Sequence, residues 1–526
     1  MSFFLGIDSS TQSLSALLIC TQSGEVIIEE SINFGSEFPD SGMASGFLPG
    51  RLGGEVHADP LVWLKALDLV FVRLKERGAP LSEIVALSGS GQQHGSVYLK
   101  SGFDEALSRL QTGASLSEQI EPLLTRPISP IWMDTSTGAQ CAEIAASIGG
   151  DIQVCYRSGS IAIERFTGPQ IRKFAQNEPE AYRETGVIHL VSSFLASVLA
   201  GKCVAIDTGD GAGMNLMNLA EADWDSELLA ATAEGLRAKL PPIASASATA
   251  GRVSSYFSEK YGLNPNCEVV LWSGDNPCSL VGMGAARPGR LVISLGTSDT
   301  LFAAMPQPLT DPRGYGHVFG NPLGGYMSLI CFRNGSLARE QVKMRHQLSW
   351  NDFDSEGLAR TSPGNGGRVI LPFASPEITP RVDSNDFVTI GWDEPPTSDE
   401  WVRGVLEGQF MNMKLHSDWL GVETAEILIT GGASENDGIA QIVADVFGKK
   451  VRRLSVSGSA GLGAAIRAAC SKGLDLNHLE KVFSEPEKGR DVRPHLENTL
   501  IYNKLGKVFI AALEKRFKLP YHQAKR

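Results

Sequence analysis

Two aspartates each follow an apolar run, at a point where a side chain can face a ligand. Asp8 follows Phe3–Ile7, and Asp275 ends a run that begins at Val269. A carboxylate at the end of a strand is well placed to hold a magnesium ion, usually through water. A carboxylate at the mouth of a site can take the proton of an attacking hydroxyl during phosphoryl transfer. Asp at a strand end is also a common turn residue, so a purely conformational role stays open at both positions.

The polar segment 8–13, which contains Ser10 and Thr11, connects two apolar runs that predict strands. A turn of Gly, Ser and Thr residues points backbone N–H groups and hydroxyls into one concavity that suits phosphate oxygens. Ser10 and Thr11 are therefore candidate phosphate contacts. Ser, Thr and Asp also fill turns for conformational reasons alone.

A second copy of this strand-turn-strand unit lies at Leu291–Ala304, with its own polar turn at Gly296, Thr297 and Ser298. Gly325–Phe332 could supply a third strand, as Glu25–Phe34 does in the first copy. Two such turns on facing domains would bind a triphosphate from both sides. Hairpins with polar turns also recur by chance, so the repeat alone does not establish a duplicated domain.

A third glycine-containing turn lies between Ile427 and Asn436, where an apolar run meets Gly431, Gly432 and Ala433. This pattern predicts a strand, a tight turn and the start of a helix, and it lets a flat ring or a phosphate approach the backbone. The sequence has neither the P-loop pattern G-x-x-x-x-G-K-[ST] nor a G-x-G-x-x-G after a strand. A nucleotide site here would therefore have another architecture.

Two polar residues outside these turns, His94 and Arg165, could hydrogen-bond a polyol. His94 lies in a glycine-rich segment, 88–95, and Arg165 lies between Glu164 and Phe166. An isolated His or Arg more often has a structural or surface role. Trp350 is either a core residue or a platform for stacking, and its neighbours in the sequence do not decide between the two.

The elements that must position these residues alternate between strand and helix, which favours an α/β fold. Pro60–Arg77 places leucine and valine three or four residues apart and predicts an amphipathic helix. A chain of 526 residues is expected to form two to four domains. The glycine- and proline-containing segment 282–289 is a candidate hinge between two of them.

Composition excludes several other classes of protein. Hydrophobic residues make up 42% and charged residues 20%, as in folded soluble domains, and the net charge is −12 without a basic run for nucleic acid. Val187–Ala200 is too short to span a bilayer and predicts a buried helix. The eight Cys and nine His lack the spacing of zinc sites. The N-terminus does not resemble a secretory signal, so we expect a cytoplasmic protein.

Taken in order, eight segments resemble the FGGY carbohydrate kinases, and more closely their animal-type xylulose kinase branch. They run through nearly the whole chain: Gly6–Ser13, Leu87–Gly95, Trp132–Thr137, Glu164–Gly168, Ser273–Pro277, Ser294–Asp299, Leu406–Gly408 and Gly431–Ser434. The resemblance implies an α/β fold with two ribonuclease-H-like, actin-type ATPase domains around a central cleft. We expect an N-terminal domain at 1–284, with the sugar site and catalytic base, and an ATP-binding domain at 285–526.

The resemblance also implies a role for each candidate residue. Asp275 would be the general base, and Asp8 would lie near magnesium and contact it through water. The sugar contacts would be Gln93, His94, Arg165, Asp275 and Asn276. The ATP contacts would be Ser10, Thr11, Gly296, Thr297, Ser298, Trp350, Gly432, Ala433 and Asn436.

The function that this resemblance implies is ATP-dependent phosphorylation of D-xylulose on carbon five, with magnesium. Two alternatives stay open: a kinase for ribulose, ribitol or gluconate, and a sugar- or nucleotide-binding regulator that transfers nothing. We expect a small sugar and ATP as partners, with neither nucleic acid nor a membrane, and leave a homodimer open.

Overall fold

The computed structural model describes residues 2–50, 53–353, 357–455 and 458–521. The contacts among these described residues divide the chain into two compact units. The first comprises Met1–Ala286, Val318–Met327 and Ser457–Glu485, and the second comprises Arg287–His317, Ser328–Val456 and Pro486–Arg526. Two later segments of the chain therefore belong to the first unit.

The described residues form the following strands and helices. The strands are β1 (Phe3–Ser9), β2 (Ser13–Cys20), β3 (Glu25–Asn33), β4 (Leu48–Pro49), β5 (Val56–Ala58), β6 (Ile84–Gly91), β7 (Ser96–Lys100), β8 (Ser129–Pro130), β9 (Thr185–Leu190), β10 (Ile206–Asp207), β11 (Met217–Asn218), β12 (Asp223–Trp224), β13 (Ile243–Ala244), β14 (Thr249–Arg252), β15 (Glu268–Val270), β16 (Ser273–Gly274), β17 (Arg290–Leu295), β18 (Asp299–Met305), β19 (His317–Gly320), β20 (Tyr326–Phe332), β21 (Val369–Leu371), β22 (Glu377–Ile378), β23 (Arg381–Val382), β24 (Val388–Ile390), β25 (Glu426–Thr430) and β26 (Lys450–Arg453). The helices are α1 (Phe34–Glu37), α2 (Pro60–Glu76), α3 (Phe103–Leu107), α4 (Leu116–Ile120), α5 (Gly138–Ile148), α6 (Asp151–Ser158), α7 (Thr167–Asn177), α8 (Pro179–Glu184), α9 (Val191–Ala200), α10 (Thr208–Gly213), α11 (Ser226–Thr232), α12 (Ser255–Tyr261), α13 (Asp275–Gly282), α14 (Ser336–Arg345), α15 (Gly357–Ala359), α16 (Ser398–His416), α17 (Asp437–Phe447), α18 (Ser459–Ser471), α19 (Leu476–Phe483) and α20 (Leu496–Phe517).

The first unit is built on a mixed sheet in the order β14-β15-β6-β1-β2-β3, with β16 also paired to β6. β1, β2 and β3 are antiparallel neighbours, because short turns join them. β6 runs parallel to β1, and β15 and β16 run parallel to β6. Parallel strands need a crossover, which α2 supplies between β3 and β6. Its N-cap is Asp59, whose Oδ1 accepts from the N–H of Leu61 at 2.8 Å.

The second unit repeats the same plan. Its sheet contains the order β20-β18-β17-β25-β26, in which β17 and β18 are antiparallel and β25 and β26 run parallel to β17. In each unit the first strand thus lies between its hairpin partner and a parallel strand that comes later in the chain. The α/β class and the repeated strand-turn-strand unit at Leu291–Ala304 are confirmed. The boundary between 284 and 285 stays a prediction.

One prediction of secondary structure is wrong in part. Val187–Ala200 was expected to be a single buried helix, but its first residues belong to β9 and only Val191–Ala200 is helical. β9 pairs antiparallel with β7, and Val97 faces His189 in the register. Pairing with a strand that is distant in the sequence decides the conformation of this apolar segment, and its composition alone does not.

α18 packs against β1 and α13 through glycine, inside the first unit. A Cβ atom at Gly463 would lie 1.9 Å from the carbonyl oxygen of Cys278, and one at Gly6 would lie 1.9 Å from the carbonyl oxygen of Gly461. Only a residue without a side chain permits backbones to come this close. α18 therefore directly supports the two elements that carry Asp8 and Asp275.

Long apolar helices of the kind that cross a bilayer do not occur in the part of the chain that the structure describes.

Candidate functional site

The two candidate acids are brought together by the strand register of the first unit. In the parallel pairing of β1 with β6, Asp8 stands opposite Ser90, and Ser273 of β16 stands opposite the same Ser90 from the other side. The Ser90 Oγ donates to the Asp8 Oδ1 at 2.5 Å. Asp275 follows β16 directly as the first residue of α13. The carboxyl ends of these strands therefore place both acids at one edge of the sheet.

Both acids hold a proton more tightly than an ordinary aspartate does. Burial raises the pKa of Asp275 to about 7, and the negative charge of Asp8 adds to the effect. Burial also raises the pKa of Asp8 to about 6, against the hydrogen bond from Ser90. Each side chain nevertheless stays partly exposed. A carboxyl group with a pKa near neutrality, within reach of a ligand, suits general-base chemistry.

The segment after β6 lies against Asp275. The Asn276 Nδ2 donates to the Gln93 Oε1 at 2.9 Å and to the Asp275 Oδ1 at 3.0 Å. Gln93 is buried, and its Nε2 has no hydrogen-bond partner among the described residues. Leaving a buried donor unpaired costs about 1–3 kcal/mol, which a polar ligand would recover. Gln93 and Asn276 are thus oriented by protein contacts, with one donor left for a ligand.

His94 is held in an unusual backbone conformation. Its φ is 71°, in the left-handed region that side chains other than glycine rarely adopt. The ring is buried, its Nδ1 lies 2.7 Å from the carbonyl oxygen of Gly213, and its face stacks on Phe166 at 4.3 Å between centroids. Non-glycine residues at positive φ concentrate at functional sites, because other contacts must compensate for the strain.

These contacts define the protonation state of His94. Burial lowers its pKa to about 3, with a further contribution from the positive charge of Arg165. The ring is therefore neutral at physiological pH. Because only a protonated Nδ1 can donate to the carbonyl oxygen of Gly213, Nε2 carries the lone pair and accepts hydrogen bonds. The structure brings His94, Arg165, Gln93, Asn276 and Asp275 together in the first unit.

The turn after β1 follows Asp8 closely in the chain. The Ser10 Oγ contacts the carbonyl oxygen of Ser13 at 3.0 Å, which closes the turn. The Thr11 Oγ1 accepts from the indole N–H of Trp132 at 2.8 Å. Trp132 is 42% exposed, a high fraction for the largest apolar side chain. Ser10 and Thr11 are partly exposed and free to contact a further group.

The residues around Asp8 fit a hydrated magnesium ion better than an all-protein cage. No group of three or more His, Cys, Asp or Glu side chains arranged for a metal occurs within residues 2–50, 53–353, 357–455 and 458–521. Magnesium usually keeps several waters and is bound through one or two carboxylates together with substrate phosphates. Asp8 and Asp275 repel each other, and a cation nearby would relieve that repulsion.

In the second unit, Asp299 and Arg339 form the base of the Gly296–Ser298 turn. The Asp299 Oδ1 accepts from the N–H of Gly296 at 3.1 Å, and the Arg339 Nη1 donates to the Asp299 Oδ2 at 3.0 Å. The Asp299 and Arg339 side chains are both buried, whereas Thr297 and Ser298 are exposed. A rigid, charged base therefore presents an accessible hydroxyl-rich turn, as a phosphate site requires.

A cavity of about 830 Å³ lies in the second unit and is lined by the other predicted nucleotide contacts, Trp350, Gly432, Ala433 and Asn436. Trp350 is 45% exposed, so it is not a core residue. The Asn436 Oδ1 caps α17 by accepting from the N–H of Ile439 at 2.8 Å. A cavity of this size with an exposed indole on one side suits a nucleoside.

The sequence does not identify several residues that surround Asp8 and His94 in the first unit or line the cavity in the second unit. Ser90 and Gly213 were assigned no role, although they bond Asp8 and His94. In the second unit, His495, Asn498 and Tyr502 of the α20 region line the cavity. No motif marks them in the sequence, because their role depends on where a distant helix packs. The glycines of α18 did carry a signal in their spacing, which favours close helix packing.

Comparison with known proteins gives a single result over the length of the chain. Residues 3–282 match the N-terminal domain of the FGGY family of carbohydrate kinases, and residues 291–471 match its C-terminal domain. Xylulose kinase 2 of Arabidopsis thaliana is 40% identical over 89% of this chain and 87% of its own. Xylulose kinase of Rattus norvegicus is 39% identical over 95% of this chain and 94% of its own.

A solved structure agrees in fold. The crystal structure described as a xyloylose kinase from Brucella ovis superposes with a TM-score of 0.81 at 23% identity, covering 98% of this chain and 99% of that one. The match of both domain models, together covering most of the chain, leads to one assignment: the chain belongs to the FGGY family of carbohydrate kinases.

Proposed function

We propose that this protein transfers the γ-phosphoryl group of ATP to the hydroxyl on carbon five of D-xylulose, giving D-xylulose 5-phosphate and ADP. The observation that carries the proposal is Asp275, a carboxyl group with a pKa raised to about 7 that lies in a hydrogen-bonded group with Asn276 and Gln93. The choice of D-xylulose is supported by relatives that are named xylulose kinases and align over most of the chain.

In this mechanism Asp275 takes the proton of the attacking hydroxyl as the new bond from oxygen to phosphorus forms. The bond from the γ-phosphorus to its bridging oxygen breaks, and the electron pair leaves with ADP. Phosphoryl transfer asks little covalent chemistry of the protein, so positioning of the two substrates supplies most of the acceleration. Asn276 holds Asp275 by a hydrogen bond to its Oδ1 and thus fixes the direction of the base.

The sugar is bound by groups of complementary hydrogen-bonding type. Gln93 Nε2 offers a donor, and the neutral His94 offers an acceptor at Nε2. Arg165 adds a fixed positive charge and further donors. A polyol, whose hydroxyls both donate and accept, satisfies such a mixed set, whereas an anion would lose the His94 and Asp275 contacts.

The nucleotide contacts fall into two sets of residues. Ser10 and Thr11 contact phosphate oxygens, as do Gly296, Thr297 and Ser298. Trp350, Gly432, Ala433 and Asn436 surround the adenosine. Asp8 would hold magnesium through water, and a bound ion would supply neutralisation of phosphate charge. We further propose that the protein works in the cytoplasm; a homodimer stays an untested prediction.

The proposal is tested by Asp275→Asn, which keeps the size of the side chain and removes the base. We expect turnover with D-xylulose to fall at least about 1,000-fold, while calorimetric binding of ADP stays within about threefold of wild type. The matched control is Asp225→Asn, which removes another buried carboxylate of the first unit that pairs with Arg157. Near-normal turnover in Asp275→Asn would refute the assignment of the base.

The same assay separates the alternatives. ADP release is measured with D-xylulose, ribulose, ribitol and gluconate, and without sugar. Preference for D-xylulose supports the proposal, and a preference for one of the others reassigns the substrate. Slow ADP release that no sugar stimulates would indicate a nucleotide-binding regulator.

A further inference from the structure

One wall of the cavity in the second unit comes from a part of the chain outside the matched family domains. The family match ends at residue 471, whereas His495, Asn498 and Tyr502 also line this cavity. They face Gln441 and Asp445 of α17, which line it as well. Part of this wall therefore lies outside the residues that the family model matches.

Asp445 is the shared hydrogen-bond acceptor for the polar groups of this wall. Its side chain is buried, and it accepts hydrogen bonds from Asn498 Nδ2 at 2.8 Å, from Gln441 Nε2 at 2.9 Å and from the backbone N–H of His495 at 2.7 Å. A carboxylate offers only acceptors, so each amide must turn its nitrogen toward it. Asp445 therefore fixes which end of each amide points away.

Because the amide nitrogens of Asn498 and Gln441 donate to Asp445, their carbonyl oxygens point away from it, and these oxygens can only accept hydrogen bonds. With Nδ2 on Asp445, Asn498 has its carbonyl oxygen Oδ1 available. The orientation of the Gln441 amide is fixed in the same way, because its Nε2 donates both to Asp445 and to the carbonyl oxygen of Arg493, the latter at 3.0 Å. An acceptor oxygen pairs with the 6-amino group of adenine, whereas the 6-oxo group of guanine would place two acceptors against each other.

We propose that Asn498, with its carboxamide oriented by Asp445, selects adenine over guanine nucleotides in this cavity. This inference rests on the proposed binding of the nucleotide to the second unit. It adds a specificity residue on α20 to the contacts in the turn before α17 and at Trp350. Sites built to hydrogen-bond one polar group discriminate strongly against analogues that leave a buried partner unpaired.

The test compares kcat/KM for ATP and for GTP, with D-xylulose saturating. Asn498→Leu removes the acceptor, and we expect the ATP-to-GTP ratio to fall at least about tenfold, mainly through a higher KM for ATP. Asp445→Asn keeps the shape but allows the Asn498 amide to turn over, and we expect a fall in the same direction. KM for D-xylulose should stay unchanged in both variants.

The matched control is Asn503→Leu on the same helix. The Asn503 Oδ1 accepts from Lys414 Nζ at 3.0 Å, and Asn503 does not line this cavity. Its nucleotide ratio should equal that of wild type. A ratio within twofold of wild type in Asn498→Leu overturns the inference, whether or not Asp445→Asn folds.

The two proposals fail in different ways. If the wild-type protein phosphorylates no sugar, the proposed function fails, and the base preference is then measured by calorimetric binding of ADP and GDP to the same variants. Equal loss of ADP and GDP binding in Asn498→Leu would overturn the inference in that case too.

Discussion

The substitution Gly463→Ala tests the packing that supports the candidate active site. A methyl group at Gly463 would lie 1.9 Å from the carbonyl oxygen of Cys278 and 2.9 Å from the backbone nitrogen of Gly282. Both obstacles are backbone atoms of α13, so no side chain can rotate away. Reaching ordinary van der Waals distance requires α13 and α18 to separate by more than roughly 1 Å.

The expected cost follows from two opposing effects. Overpacking in a rigid core costs about 1–3 kcal/mol, and a backbone obstacle places this site at the upper end of that range. Alanine recovers about 1 kcal/mol through its better helix propensity. The net loss in the free energy of unfolding is about 2 kcal/mol, which lowers the urea midpoint by about 0.5–1 M.

Activity should fall as well, because α13 begins with Asp275. A displacement of about 1 Å in a catalytic group can cost about 100-fold in rate, so we expect kcat to fall by that order even in the folded variant. Turnover is measured at a temperature where circular dichroism shows the native fold. Loss of stability and loss of rate then become separate readouts.

Gly506→Ala is the matched control. Gly506 lies inside α20, and a Cβ there meets no atom within 4 Å. The same chemical change should therefore raise stability by up to about 1 kcal/mol and leave kcat unchanged. If Gly463→Ala unfolds at the same urea concentration as Gly506→Ala and keeps full activity, the close packing of α13 and α18 is refuted.

Two further predictions concern charge. Arg339→Met leaves the buried carboxyl group of Asp299 without its ion-pair partner and should lower the free energy of unfolding by about 3–5 kcal/mol. Adding Asp299→Leu should restore most of that loss. A double variant as unstable as the single one would contradict this explanation. Because the base must be ionised and burial raises the pKa of Asp275 to about 7, kcat/KM should rise with pH up to about 7 and then level off. His94→Gln should lower the rate without moving that midpoint, since burial keeps the pKa of His94 at about 3; a shifted midpoint would assign the titration to His94 instead.

The fold could be predicted from the sequence where the signal is local. The helix predicted at Pro60–Arg77 is α2, and the predicted strands at Leu291–Ala304 are β17 and β18, because apolar spacing and turn residues determine these elements directly. Val187–Ala200 was less predictable. Its first residues are a strand only because β7 lies beside them, and no property of the segment itself identifies that neighbour.

The candidate site also contains residues that the sequence predicts and residues that it does not. Asp8, Asp275 and the turn at Gly296–Ser298 were predicted because a polar residue at the end of an apolar strand is visible in the sequence. Ser90 was missed because its role follows from register: it stands between Asp8 and Ser273 only when three strands align. Such neighbours become predictable once the order of the strands is known, and not before.

The support behind the acids depends on residues that are still farther apart in the sequence. α18 lies in the last part of the chain, yet Gly463 contacts α13 and Gly461 contacts β1, so one helix supports both Asp275 and Asp8. Arg467 of the same helix is buried and donates to the carbonyl oxygen of Leu271 at 2.6 Å. Burial raises the pKa of the Asp207 carboxyl group, and the positive charge of Arg467 offsets part of that rise. A helix that is distant in the sequence thus supplies both the close packing behind Asp8 and Asp275 and a buried positive charge that acts on Asp207.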